Sequence, residues 1–230
     1  MTIHAVILAA GMGTRLGKPW PKPLTPLIDG RTIMAQQMDN LNSVFGDEVR
    51  ISTVVGFKLE MILEAFPQVS YIYNELYDQT NTNRSLLKAL LLAPPTGVLW
   101  MNGDVVFDAE VLVRARELIE ADQSFICVDK SVVGEEEVKY TIDSAGFVAL
   151  LSKQVTNALG EAVGINFISS SDRANLISGL AACADSDYFE RGIEISIERH
   201  GTTVVPLDIT DLFAVEVDFE DDLTRANAHL

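Results

Sequence analysis

The sequence predicts a single-domain α/β fold, a mostly parallel sheet with helices on both faces and a β-hairpin insertion. Three observations predict it. Short runs of apolar, β-type residues alternate with stretches of helical period up to residue 128. These runs are apolar almost throughout rather than at every second position, the pattern of strands buried on both faces. The first run ends in a loop rich in glycine and proline, and in sheets of this kind ligands gather at the carboxyl ends of the strands. At 230 residues and 48% hydrophobic content, the chain can bury one substantial core.

In chain order, the expected strands are 3–8, 49–55, 69–73, 98–101 and 125–128. Between them, Met34, Met38, Leu41 and Phe45 step by four, three and four and share one helical face. Val111, Ala115 and Leu118 do the same, with Asp108 expected as the cap of their helix. Leu86, Leu87, Leu90 and Leu91 mark another helix. After residue 128 the rhythm changes. Residues 138–142, a turn at 143–146 and residues 147–151 read as a β-hairpin, and 162–168 as a further strand. Helices at about 172–182 and 187–199, strands near 203–206 and 213–217, and a helix from about Phe219 complete the chain. No repeat, low-complexity segment or linker divides it.

Charge is unevenly distributed. Lys and Arg number 17 against 33 Asp and Glu, a net −16, yet up to Arg31 there are four basic residues and only Asp29. So acidic a remainder repels nucleic acid and anionic membrane, so neither is an expected partner. Cys127 and Cys183 have no metal-ligand spacing and form no disulfide framework, which suits a reducing cytoplasm. Cys127, in the apolar run SFICV, reads as core rather than nucleophile. No apolar run reaches membrane-spanning length, and the N-terminus lacks the pattern of a signal peptide.

Residues 5–27, AVILAAGMGTRLGKPWPKPLTPL, carry the chemistry. Glycine lets backbone N–H groups approach phosphate oxygens, and Arg15, Lys18 and Lys22 supply positive charge with no acid among them. Two familiar phosphate loops do not fit. A Walker loop needs four residues before its Gly-Lys pair, and here five separate Gly11 from Gly17. A dinucleotide fingerprint needs a third glycine where Leu16 stands, and a helix that Pro19, Pro21 and Pro23 forbid.

The order Leu8-Ala9-Ala10-Gly11, Gly13-Thr14-Arg15-Leu16 and Pro21-Lys22-Pro23-Leu24 resembles the signature of nucleotidyltransferases that activate sugar phosphates and alcohol phosphates. In pattern it is most similar to bacterial phosphocholine cytidylyltransferase-like enzymes. The resemblance implies a nucleotide-diphospho-sugar transferase type of Rossmann-like sheet, with residues 1–128 mainly binding nucleotide and 129–230 mainly the acceptor. It also implies that Leu8, Ala9, Ala10, Gly11, Gly13, Thr14 and Arg15 bind a nucleoside triphosphate, CTP before other bases, and that Arg15 and Lys22 are catalytic.

Three further stretches extend the resemblance. Asn102-Gly103-Asp104 ends an apolar strand, and Glu216-Val217-Asp218 is similar to the family's second acidic segment. Together they imply Asp104 and Asp218 as ligands of Mg²⁺, although Asp218 also suits a helix N-cap. The Asn-rich stretch before Ser85-Leu86 implies Asn83 and Ser85 in the nucleotide pocket, while a capping loop would explain Asn83 equally well. Val54-Val55-Gly56-Phe57 follows a family pattern as well.

For the acceptor, a small phosphorylated molecule, the resemblance points to Lys139 as the cation for its phosphate, with Glu161 and Tyr188 alongside. Val138 stands where a phosphocholine enzyme would place an aromatic residue. Glu135, Glu136, Glu137, Glu161 and Glu190 leave an amine-bearing acceptor open. A hexose-1-phosphate enzyme using GTP, UTP or dTTP and a non-catalytic nucleotide-sensing domain are the alternatives. The oligomeric state, a homo-oligomer included, is not written in the sequence.

Overall fold

The computed structural model describes residues 2–131, 133–134 and 137–230. Its central sheet runs in the order β10 (Val205–Asp208), β6 (Phe125–Asp129), β9 (Gly160–Ile168), β4 (Val98–Asn102), β1 (Ile3–Ala9), β2 (Val49–Val55), β3 (Ser70–Tyr73). β9 pairs antiparallel with both β4 and β6, and the other six strands point one way. The mostly parallel sheet is therefore present.

Both faces of the sheet are buried, as the continuous apolar runs require. Along β1, Ile3, Ala5 and Ile7 pack with Met34 and Leu41 of α1 (Ile33–Phe45) and Val111 of α4 (Ala109–Glu120). Val6 and Leu8 point the other way, to Leu86 and Leu90 of α3 (Thr82–Leu92), Leu176 of α5 (Arg173–Ala182) and Ile193 of α6 (Phe189–His200). This period of two along a strand buried on both sides is what sends a helix layer to each face. Cys127 lies fully inside, and burial pushes its thiol far up, so it is a core residue. Among the described residues no helix is long and apolar enough to cross a membrane.

The hairpin forms from β7 (Lys139–Ile142) and β8 (Val148–Ser152) and is carried on the edge of β9 through Lys139 opposite Glu161. Its turn is an Asp143 motif, with Oδ1 accepting from the backbone N–H groups of Ala145 and Phe147.

Two elements depart from the sequence reading. α2 (Leu59–Ala65) is too short to show a period, and β5 (Val105–Phe107), just beyond the Asn102-Gly103-Asp104 turn that ends the expected strand, is too short to announce itself as a strand. β5 pairs antiparallel with β11 (Ala214–Glu216), which leads to α7 (Glu220–His229). The strand expected at 203–206 begins two residues later, because its ladder opens opposite Phe125, where β6 itself begins. Asp108 does occupy the cap position of α4, but its carboxylate accepts instead from the Phe213 N–H and from His229 Nε2 at 2.7 Å.

Candidate functional site

A cleft opens at the carboxyl ends of β1 and β4, and Leu8, Ala9, Gly11, Gly13, Thr14, Arg15 and Lys22 line one wall. The loop folds there because Gly13 and Gly17 take positive φ, of 58° and 65°. The prolines then hold a single 3₁₀ turn, Lys22–Leu24, closed by the N–H of Thr25 bonding the Lys22 carbonyl at 2.9 Å. Lys58 bonds the Pro19 carbonyl and Lys18 pairs with Glu220 at 2.5 Å, fixing the loop at both sides. A Cβ on Gly13 would lie 2.7 Å from Lys22 Cγ, so the missing side chain makes the groove for the lysine stem.

The acidic wall is a consequence of the β5–β11 pairing. Glu216 stands opposite Val105, and the N–H of Val217 bonds the Asp104 carbonyl at 2.9 Å. That register brings Asp104 and Asp218 together although they are far apart in sequence. The turn bearing Asp104 is further tied to α1. Gln37 Nε2 donates to the carbonyls of Asn102 and Val105, and Gln36 and Asn40 donate to that of Phe107. These amides on an otherwise apolar helix face are a positioning device that the periodicity conceals. At α7 the cap position belongs to Phe219, and Asp222 Oδ2 accepts from the N–H groups of Asp218 and Phe219. Asp218 is thereby excused from the N-cap role and turns its carboxylate into the cleft.

There the charges meet. Lys22 Nζ lies 3.0 Å from Asp104 Oδ2 and also bonds Asp218 Oδ1, and Arg15 Nη1 lies 2.5 Å from Asp218 Oδ2. Burial alone would lower the Lys22 ammonium, but the two aspartates outweigh it and hold it above its ordinary value. Beside them, burial and then the Asp104 charge push the Glu216 carboxyl well above the carboxylate range.

Glu137, Lys153, Tyr188 and Glu190 also line the cleft. Lys153 Nζ lies 5.0 Å from the centre of the Tyr188 ring. Glu190 is 8% exposed, and burial pushes its carboxyl up to about 7. Its Oε2 has no hydrogen-bond partner among the described residues.

Several residues expected in the site lie elsewhere. Asn83 and Ser85 do not line the cleft. Asn83 is buried, with Nδ2 donating to the Ala184 carbonyl at 2.7 Å, and Ser85 Oγ accepts from Asn74. The cap of α3 is Asn81, whose side chain accepts from the Thr82 N–H. Asn81 and Thr82 are the parts of that stretch that face the cleft. The rest clamps α3 to residues 183–187, which lead into α6 and so place Tyr188 and Glu190. The Ala10 carbonyl accepts from the Phe57 N–H, joining the loop to the segment after β2.

Lys139 and Glu161 are also absent from the lining. Lys139 Nζ is 3.4 Å from the Lys153 carbonyl, and Glu161 Oε2 accepts from the Gly134 N–H. In the hairpin register Lys139 faces Ser152, so the two lysines are near neighbours, and sequence offers no means of choosing between them. Glu135 and Glu136 lie outside the described residues.

The donor set suits a magnesium ion. Two carboxylates converge on one cation position, and Asn102 Oδ1 in the same cleft is buried without a partner. All are hard oxygens, and Mg²⁺ characteristically takes one or two carboxylates and completes its shell with water and phosphate. Among the described residues no group of three His, Cys, Asp or Glu side chains could hold a metal alone, in keeping with that sparse mode.

Residues 5–187 match the model of the MobA-like NTP transferase domain. The CMP-5'-(3-aminopropyl)phosphonate synthase of Streptomyces rubellomurinus is 38% identical over 128 residues, 52% of this chain but only 20% of that protein's length. The fold is similar to that of the inositol-1-phosphate CTP transferase from T. maritima, with a TM-score of 0.77 at 17% identity over 96% of this chain and 91% of that one. It is equally similar to the CTP:phosphocholine cytidylyltransferase from Streptococcus pneumoniae, with a TM-score of 0.76 at 16% identity over 100% and 99% of the two chains.

Proposed function

Since the chain belongs to the MobA-like NTP transferase family, we propose that it is a nucleotidyltransferase joining CTP to a small phosphate or phosphonate that carries an amine. The observation that carries this reading is the make-up of the cleft lining. Arg15 and Lys22 are gathered with Asp104 and Asp218. The same cleft offers one further cation, Lys153, with the Tyr188 ring and Glu190, whose Oε2 has no partner among the described residues. On this reading residues 1–128 serve mainly the nucleotide and 129–230 mainly the acceptor, with Asp218 crossing over from the second half.

The chemistry follows from charge. An anionic oxygen of the acceptor attacks the α-phosphorus, a new P–O bond forms, and the bond to the β-phosphate oxygen breaks to release pyrophosphate. The nucleophile is already ionised and needs no strong base, so the residues position two mutually repelling anions and neutralise charge. Arg15 takes the β- and γ-phosphates and Lys22 the α-phosphate. Lys153 holds the acceptor's phosphate or phosphonate, in place of the Lys139 expected from the sequence. A magnesium ion held by Asp104 and Asp218 would neutralise the polyphosphate. Glu190 and the Tyr188 face receive the acceptor's ammonium, as carboxylates and ring faces do. Cytidine as the base and an aminoalkyl acceptor draw support from the phosphonate synthase, whose name states both.

Pyrophosphate release with Mg²⁺ tests the proposal. CTP, UTP, GTP, ATP and dTTP are crossed with 2-aminoethyl- and 3-aminopropylphosphonate, phosphoethanolamine, phosphocholine, inositol phosphate and hexose 1-phosphates. Release dependent on CTP and an amine-bearing acceptor is the expected result. Preference for a hexose 1-phosphate overturns the acceptor class, and nucleotide binding without turnover on any acceptor overturns the reaction.

A further inference from the structure

We propose, resting on the metal reading above, that Lys22 and the divalent cation are alternatives for a single position. The ammonium that bridges Asp104 and Asp218 excludes the metal, and a bound nucleotide opens the pair by drawing Lys22 onto phosphate.

Three observations carry this. First, the Lys22 ammonium is 3.0 Å from Asp104 Oδ2 and bonds Asp218 Oδ1, so it lies between the two oxygens that a divalent ion would need. Arg15 takes the remaining Asp218 oxygen at 2.5 Å. A magnesium ion requires its oxygens at about 2.0–2.1 Å in near-octahedral array and cannot share them with an ammonium in their midst. Second, the carboxylates are held by the backbone around them, while the lysine's charge sits at the end of a long stem. Asp104 and Asp218 flank the β5–β11 ladder, and α1 amides pin the Asp104 turn. Lys22 reaches them on a flexible four-carbon stem. Third, the stem's place is built, because it lies against Gly13 where a Cβ would sit 2.7 Å from Lys22 Cγ.

Metal and nucleotide therefore bind with positive coupling. Phosphate gives Lys22 and Arg15 another anion to pair with and gives the metal further oxygens, and by reciprocity each ligand tightens the other. Without nucleotide the protein holds divalent ions weakly.

The experiment is a titration with Mn²⁺ alone, read from the electron paramagnetic resonance signal of the free ion, without nucleotide or acceptor. Lys22→Met keeps the stem and removes the charge, and Lys22→Gln is a second neutral variant should the first fail to fold. The neutral variants are expected to bind Mn²⁺ about ten-fold or more tightly than the unmodified protein. The gain disappears when Asp218→Asn is added. Unchanged or weaker binding overturns the proposal, as does a gain that survives Asp218→Asn or no binding by any variant. Because neither turnover nor acceptor enters this measurement, a silent activity grid sinks the transfer reading without touching this result.

Discussion

The Lys153 ammonium stands 5.0 Å from the centre of the Tyr188 ring, in the cleft that Arg15 and Lys22 also line. Among the described residues these three are the lysines and arginines that line the cleft, and the other two pair with the aspartates. Lys153→Met is therefore expected to raise the acceptor KM about 10- to 100-fold, the range for one hydrogen bond to a charged group at about 1.5–3 kcal/mol. The nucleotide KM should hardly move. Lys139→Met, one strand away, should do much less. Steady-state kinetics with each substrate varied decides it, and equal losses in both KM values would place Lys153 in a general structural role.

Glu190 predicts a pH dependence of defined sign. Burial raises its carboxyl from 4.5 to about 7, so below that pH the group is mostly neutral and offers an ammonium little. kcat/KM for an amine-bearing acceptor should rise through about pH 7 and level off, and Glu190→Gln should remove that inflection. Stability runs in the opposite direction. The folded protein holds a proton that the unfolded chain releases near 4.5, so this stabilisation is full below that pH and is lost as pH rises through about 7. Glu137, Glu161 and Glu216 are raised as well, so the quantity to measure is the difference in melting temperature between the protein and Glu190→Gln across about pH 4–8.

Asn83 separates a pocket wall from a clamp. Its side chain is buried, with Nδ2 on the Ala184 carbonyl at 2.7 Å and Oδ1 accepting from the Arg84 N–H at 2.7 Å. Asn83→Ala removes two hydrogen bonds made by a fully buried side chain and should cost about 0.5–3 kcal/mol of stability. Nucleotide affinity, measured well below the melting point, should stay within about two-fold of the original. A large loss of nucleotide affinity with stability unchanged would return Asn83 to the pocket.

The alternation of β-type runs and helical faces made the sheet and its two helix layers legible, because strands buried on both sides cannot hide their apolar character. The loop after β1 was legible for a similar local reason, since Gly13, Arg15 and Lys22 lie within one short segment. What the sequence could not order were relations set by tertiary pairing. β5 is three residues long and acquires meaning only against β11, the pairing that joins Asp104 to Asp218. Gln36, Gln37 and Asn40 stand outside the apolar repeat of α1, yet they are buried and hold the Asp104 turn and β5. Lys139 and Lys153 are neighbours in the hairpin, and only the fold directs one of them to the cleft.

Gly13 offers the sharpest test of how the loop seats its lysine. Its φ of 58° is one that other residues adopt only with strain, and an added Cβ would meet Lys22 Cγ at 2.7 Å. Gly13→Ala should therefore cost about 1–2 kcal/mol from the left-handed backbone alone. The larger effect falls on the lysine, because the stem must leave the groove from which its ammonium reaches the cleft. Turnover should fall about ten-fold or more, as when a catalytic charge is misplaced by about an ångström. Gly17 supplies the internal control, since it also has a positive φ, of 65°, but nothing lies within 4 Å of its Cβ position. Gly17→Ala should share the stability cost and keep most of the turnover. If both variants lose turnover equally, loop strain rather than displacement of Lys22 is responsible.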